Sequence, residues 1–82
     1  MIELRYRGGL ADMTGKKTEK INASSVDEVV TYLENQYSKS TAKQAKRMLI
    51  TVNGTGIQLL KRFKTPLSDG DTVSFLPLAA GG

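Results

Sequence analysis

The first part of the chain alternates between apolar and polar side chains. Every second residue over 2–6 is apolar and the others are charged, which predicts a strand with one buried face. A second, weaker strand is predicted over 17–22, where Ile21 is the convincing core residue and Glu19 shares its face. Between the two strands, residues 8–16 contain three glycines and are predicted to form a turn or loop.

The next segment repeats its apolar residues with the period of a helix. Ser25 followed by Glu28 has the spacing of a capping box, which satisfies free N–H groups at a helix start. Five apolar residues then fall on one helical face: Val26, Val29, Val30, Leu33 and Tyr37. This face predicts a helix that packs across one side of a sheet.

The second half of the chain predicts further strands joined by turns. Residues 38–47 are polar and are interpreted as a connection, and the apolar run 48–52 predicts a strand that is buried on at least one face. Asn53-Gly54 is typical of a two-residue hairpin turn, and a short partner strand is predicted over 57–60.

Another turn is predicted at 68–71, where Asp69 and Asp71 flank a glycine. Paired aspartates can bind a metal, but beside a glycine they are favoured as turn formers, because their side chains bond to the local backbone. A last strand begins at Val73, and Pro77 limits it because proline lacks a donor for the ladder.

Composition restricts the classes of function. Eighty-two residues are enough for one small domain. The chain contains no cysteine and no histidine, which removes thiolate nucleophiles, imidazole bases and common zinc ligands and disfavours a self-sufficient enzyme. Residues 1–7 carry two arginines and a glutamate instead of a signal-peptide core, so we expect a cytoplasmic protein without a membrane segment.

The positive charge is uneven. The net charge is +4, and an acid-free stretch from Lys39 to Arg47 and a cluster at 61–64 hold seven of the cations. The favoured interpretation is a solvated loop and a lysine-protected sheet edge. Such patches also attract phosphates or acidic proteins, and a nucleic-acid-binding module is a distant alternative because the aromatic residues form no stacking stripe.

The tail has a different chemistry. No side chain from 72 to 82 is charged, and the sequence ends on two glycines. Without Cβ atoms, Gly81 and Gly82 can enter a narrow cleft in an extended form. An ionised terminal carboxylate can attack a nucleotide phosphate, so the tail is suited to be the substrate of another enzyme.

The run Pro-Leu-Ser-Asp-Gly-Asp-Thr-Val-Ser-Phe-Leu-Pro over 66–77, closing on Ala80-Gly81-Gly82, resembles the MoaD/ThiS family of ubiquitin-like sulfur carriers. It is most similar to the small subunit of molybdopterin synthase, and Val52-Asn53-Gly54 fits the same pattern. The resemblance implies an α+β fold of the β-grasp (ubiquitin-like) type, a mixed sheet with one main helix across it. Residues 1–77 would form the single domain and 78–82 a flexible tail.

The resemblance also implies a chemical role for Gly82. Its carboxylate would be adenylated by a ubiquitin-activating-type, MoeB/ThiF-like enzyme that consumes ATP, and would become a thiocarboxylate. The sulfur would pass to an acceptor such as a molybdopterin synthase large subunit. The chain would then be a co-substrate with no catalytic residue, bound cofactor or metal of its own.

Further site residues follow from the same resemblance. Leu78, Ala80 and Gly81 would be recognised in the tail, and Phe75 and Pro77 would lie at a partner surface, with core packing an equal alternative for Phe75. The Leu-Pro-Leu sequence at 76–78 departs from the commonest molybdopterin tail. Sulfur transfer for thiamine or cysteine synthesis, and conjugation to target lysines through Gly82, therefore remain alternatives.

Overall fold

A computed structural model describes residues 1–78. The predicted flexible tail lies almost entirely outside the described residues. None of the described helices is long and apolar enough to cross a membrane. The elements, in chain order, are β1 (Ile2–Tyr6), α1 (Gly8–Thr14), β2 (Thr18–Ile21), α2 (Val26–Gln36), α3 (Lys39–Lys46), β3 (Leu49–Val52), β4 (Thr55–Gly56), two 3-10 turns (Ile57–Leu59 and Arg62–Lys64) and β5 (Thr72–Leu76).

The strands form one mixed sheet in the order β2-β1-β5-β3-β4. β1 pairs antiparallel with β2 and parallel with β5, and β5 pairs antiparallel with β3. The C-terminal strand therefore lies at the centre of the sheet, where Val73 is completely buried. The predicted α+β class with a mixed sheet and one main helix is confirmed.

The predicted main helix is α2. The Ser25 hydroxyl accepts a bond from the Glu28 N–H at 3.2 Å. The Glu28 carboxylate reaches back to the N–H of Ser24 at 2.8 Å, which lowers the pKa of Glu28. On the inner face, Val26, Val29 and Leu33 have no exposed surface, so the predicted packing face is confirmed.

The predicted loop at 8–16 is wrong, because seven of its residues form helix α1. Leu10 is completely buried and anchors the helix against the core. Gly15, with φ +72°, ends it, and its N–H bonds to the carbonyl of Ala11 at 2.9 Å. Glycines at both ends suggested a loop, whereas here they start and stop one short helix.

The prediction of a polar connection at 38–47 is also wrong, because this segment contains helix α3. The Ser38 hydroxyl caps it by accepting from the Thr41 N–H at 3.1 Å. Ala42 and Ala45 are buried, and α3 packs against α2. The pattern was missed because alanines give a weak apolar signal between so many polar residues.

The Asn53-Gly54 hairpin is confirmed, since both residues have positive φ values of 52° and 88°. The partner strand β4 is only two residues long, and the strand predicted at 57–60 is wrong. Ile57 is buried beneath the sheet edge, and the N–H of Leu60 bonds to its carbonyl at 3.0 Å. This bond curls the chain into a 3-10 turn and away from the sheet.

Candidate functional site

The candidate site is the point where the chain leaves β5 toward the terminal glycines. Phe75 lies opposite Tyr6 in the parallel β1–β5 pair and opposite Ile50 in the antiparallel β3–β5 pair. Leu76, the last residue of β5, still pairs with Leu49. Since neighbouring strands hold β5 on both sides, the tail starts from a fixed point.

Phe75 belongs to the core. Its side chain has no exposed surface, and its ring centroid lies 5.9 Å from that of Tyr6, with the rings tilted by 38°. The side chain cannot contact a partner in this conformation, because strand alternation turns it toward the helices. The expectation that Phe75 lies at a partner surface is therefore corrected to core packing.

Pro77 and Leu78 lie on the surface, and Leu78 is 62% exposed. Pro77 packs beside Gly8, where an added Cβ would lie 3.2 Å from the proline Cγ. Gly8 also has φ +56°, which favours glycine, so the first residue of α1 allows Pro77 to lie close to it. Pro77 and Leu78 are therefore both open to a partner.

The other predicted tail residues, Ala80, Gly81 and Gly82, lie outside the described residues, and their roles stay predictions. Four residues follow Leu78, and chain geometry limits their reach to about 14 Å. A partner that acts on Gly82 must therefore place its reacting groups within about that distance of Leu78.

The open face of the sheet leads along β5 to this exit. A shallow cavity of about 410 Å³ lies there, and Arg5, Arg7, Thr51, Ser74 and Leu76 are among its lining residues. The Arg5 Nε donates to Glu3 Oε2 at 2.7 Å, which fixes one of the guanidinium groups. The face combines two cations and hydroxyl groups with a half-buried leucine, a composition suited to a protein contact.

Two turns that belong to the sequence motif hold the start of β5. The Asn53 amide donates to Asp71 Oδ1 at 3.0 Å, and its oxygen accepts from the Thr72 N–H at 2.9 Å. Asp71 Oδ2 accepts from the Ser68 N–H at 2.8 Å. This bond and that of Asn53 lower the pKa of Asp71. The turn-forming interpretation of Asp71 is confirmed, and the motif has a structural reason.

A polar cluster that sequence reasoning missed surrounds Glu19. Its carboxylate accepts from the hydroxyl groups of Tyr6 at 2.8 Å and Tyr37 at 2.9 Å, and also from that of Tyr32. Lys16 Nζ lies 3.3 Å away, and the Glu19 side chain is only 10% exposed. One carboxylate thus joins the edge strand β2 to β1 and to the end of α2. The only signal was that Glu19 shares the inward face with Ile21.

The cluster shifts several ionisation equilibria. Burial raises the pKa of Glu19, but hydrogen bonds from the three phenols and from Lys16 outweigh it, and the pKa is lowered. Burial and the hydrogen bond to Glu19 raise the pKa of Tyr6 and of Tyr32. The arrangement favours an ionised Glu19 between protonated tyrosines, which is a stabilising role at neutral pH.

The sequence matches the model of the ThiS family over residues 4–82. The chain therefore belongs to the ThiS family, which confirms the resemblance seen in the sequence. It is a member of the family of ubiquitin-like sulfur carriers. No curated protein gives a significant match.

Solved structures show the same ubiquitin-like β-grasp fold. Mycobacterium tuberculosis CysO has a TM-score of 0.85 at 21% identity, covering 96% of this chain and 100% of that one. A chain of the Amycolatopsis orientalis BexX/CysO complex has a TM-score of 0.84 at 21% identity, and the match covers 100% of this chain and 100% of that one. A chain in the complex of subunits 1 and 2 of the Helicobacter pylori molybdopterin-converting factor has a TM-score of 0.70 at 25% identity, and the match covers 99% of this chain and 97% of that one. Two of the three are complexes with partner proteins.

Proposed function

We propose that this chain is a sulfur carrier whose Gly82 carboxylate is adenylated and converted to a thiocarboxylate that supplies sulfur for molybdopterin. The observation that carries the proposal is that the family match extends through the two terminal glycines. The central position of β5 and the exposure of Leu78 support it, because they give the tail a rigid origin and an open start.

The proposed activation takes place on a partner. A carboxylate oxygen of Gly82 attacks the α-phosphorus of ATP, and pyrophosphate leaves. A nucleophilic sulfur, with hydrosulfide as the simplest donor, then attacks the carbonyl carbon. The bond from this carbon to the AMP oxygen breaks, so AMP carries away one carboxyl oxygen and the tail keeps sulfur in its place. A MoeB/ThiF-like enzyme supplies ATP and the catalytic groups.

This chain contributes recognition and position. The turns around Asn53 and Asp71 hold the start of β5, and Phe75 fixes its end in the core. Pro77, Leu78, Ala80 and Gly81 are the residues that we propose a partner contacts. In this proposal the chain has no catalytic residue and no bound cofactor of its own.

The molybdopterin pathway is the finer part of the proposal. It is supported by the tail motif and by the likeness to a chain in the Helicobacter pylori molybdopterin-converting factor at 25% identity. The acceptor that we propose is a molybdopterin synthase large subunit. Conjugation of Gly82 to a lysine, or transfer of sulfur to another pathway, is an outcome that the assay below distinguishes.

The test is reconstitution with the cognate activating enzyme, ATP and sulfide, followed by intact mass and then by addition of the large subunit with its substrate. We expect exchange of one oxygen for sulfur, and its loss as molybdopterin forms. Deleting Gly82 moves the carboxylate by about 3.5 Å and should abolish activation, because even ~1 Å of misplacement can slow a reaction about a hundredfold. The surface variant Lys20→Gln is the matched control and should react normally.

Three results would contradict the proposal in different ways. Normal activation of the Gly82 deletion would remove the carrier function altogether. Sulfur exchange without molybdopterin formation would remove only the proposed pathway. An amide bond between Gly82 and a lysine, in place of sulfur, would indicate a protein modifier.

A further inference from the structure

Charge is separated along this chain more sharply than its net value shows. All eight acidic residues lie outside residues 35–68, whereas seven of the twelve cations lie inside that range. We call residues 35–68 the basic segment. It contains α3, β3, β4 and the two 3-10 turns, and it ends the sheet at the β4 edge. The ion pairs found among residues 1–78 involve none of its cations.

A cavity of about 250 Å³ lies within the basic segment, and we call it the basic pocket. Its walls include Met48, Ile57 and Phe63, and Lys46 and Arg62 also line it. Lys46 comes from the end of α3 and Arg62 from the second 3-10 turn. Two cations from separate elements therefore line one depression together with apolar side chains.

The 3-10 turns beside the basic pocket expose large apolar side chains. Leu59 is 82% exposed and Leu60 is 42% exposed. They line a neighbouring cavity of about 610 Å³ together with Lys61. Two neighbouring leucines exposed beside a cavity form an apolar patch, and patches of this kind are where proteins bind other molecules.

The backbone at Arg62 is also unusual. Its φ is +53°, a left-handed conformation that disfavours residues with a Cβ, so glycine or asparagine would fit this position more easily than arginine does. The Arg62 carbonyl accepts from the hydroxyl of Thr65 at 2.6 Å, which helps to fix the turn. Strained positions of this kind are concentrated at functional sites.

We propose that the basic pocket and the adjoining leucines form a docking surface for an acidic protein segment that carries leucine or a similar apolar side chain. Carboxylates of the partner would face Lys46 and Arg62, and its apolar side chain would lie against the half-buried ring of Phe63 and the exposed Leu59, since Met48 and Ile57 are buried in the floor of the pocket. Complementary charge of this kind steers association and fixes register.

Nucleic acid fits this surface less well. A phosphodiester backbone matches the cations but leaves the apolar walls and the exposed leucines uncovered. Single-strand binding also uses several aromatic rings as stacking platforms, and the basic pocket contains one ring, that of Phe63. The apolar content therefore favours a protein segment.

The basic pocket lies close to the start of the tail. Leu49, the residue after Met48, pairs with Leu76 at the end of β5. A partner that binds the basic pocket is thus held near the tail through contacts that do not involve Gly82. The inference does not depend on the chemistry proposed for that residue.

The test uses a synthetic peptide of glutamates and leucines and a companion in which serine replaces every leucine. Titration of the full chain is followed by backbone amide NMR. We expect saturable binding with the largest shifts at Met48, Ile57 and Phe63. The serine peptide should bind roughly tenfold more weakly or worse, because burying a leucine is favourable by more than the ~1.4 kcal/mol of one tenfold step.

Charge reversal supplies the matched variants. The double variant Lys46→Glu, Arg62→Glu should abolish binding of the peptide. The double variant Lys17→Glu, Lys20→Glu makes the same change of charge on exposed residues elsewhere and should keep most of the binding. Equal weakening by both pairs, equal binding of the two peptides, or shifts away from the basic pocket would overturn the proposal. So would tighter binding of a single-stranded oligonucleotide at the same amides.

Discussion

Replacing Glu19 by alanine is expected to destabilise the domain by about 2.5–6 kcal/mol. The carboxylate accepts hydrogen bonds from three phenol groups and forms an ion pair with Lys16, and its side chain is only 10% exposed. Hydrogen bonds to a charged group contribute about 1.5–3 kcal/mol, and an unsatisfied buried donor costs about 1–3 kcal/mol. Only Tyr6 is fully buried, since Tyr32 and Tyr37 are near enough to the surface to bond to water. The estimate therefore adds the cost of one unsatisfied hydroxyl, that of Tyr6, to the net contribution of one hydrogen bond to a charged group.

The same cluster predicts a dependence of stability on pH. Because the folded state lowers the pKa of Glu19, its contribution is complete above the ordinary glutamate pKa of about 4.3. It is lost as the pH falls through the lowered folded pKa. Glutamine at position 19 keeps an acceptor oxygen but does not titrate. The Glu19→Gln variant should therefore lose less stability than the natural protein between about pH 6 and pH 3, the interval that spans carboxylate titration.

The assay is urea unfolding followed by circular dichroism at neutral and acidic pH. Glu34→Gln is the control, because Glu34 is an exposed glutamate on α2 and its replacement should leave the free energy of unfolding nearly unchanged. The reasoning fails if Glu19→Ala shifts the free energy of unfolding no more than this control does. It also fails if Glu19→Gln keeps the full acid dependence of the natural protein.

Two other substitutions test the packing and the motif turn. Leu33→Ala should lower the free energy of unfolding by about 2–4 kcal/mol, because it leaves a cavity beneath the sheet, while Thr31→Ala on the exposed face of α2 should not. Equal chemical denaturation midpoints for these two variants would refute the assignment of the helix face. Asn53→Ala should cost about 1–3 kcal/mol, since it removes both bonds to the start of β5 and places alanine at positive φ. Asn53→Gly is its comparison, and calorimetry should find it the more stable of the two.

Sequence reasoning predicted the elements whose signals are local and periodic. The helix face from Val26 to Leu33, the alternating first strand and the Asn53-Gly54 turn each follow from spacing or from one backbone preference. The family resemblance supplied the mixed sheet, but the central position of β5 was not predicted, because parallel pairing between β1 and β5 joins residues about seventy positions apart.

The missed features depend on tertiary packing. Helix α3 is buried through Ala42 and Ala45, small side chains whose burial depends on how the elements pack and cannot be seen in the sequence pattern. Helix α1 has one buried apolar residue, Leu10, and its other buried side chain is the polar Thr14. The site showed the same limit, since a half-alternating strand cannot reveal that three tyrosines converge on Glu19.

The central claim is that the carboxylate of Gly82 is the reacting group. The most direct measurement is the intact mass of the protein isolated from its own cells after deletion of the sulfur acceptor, with fragmentation to locate any change. The account predicts exchange of one oxygen for sulfur, confined to Gly82. Protein that carries only the ordinary carboxylate under these conditions, with the activating enzyme present, would contradict it.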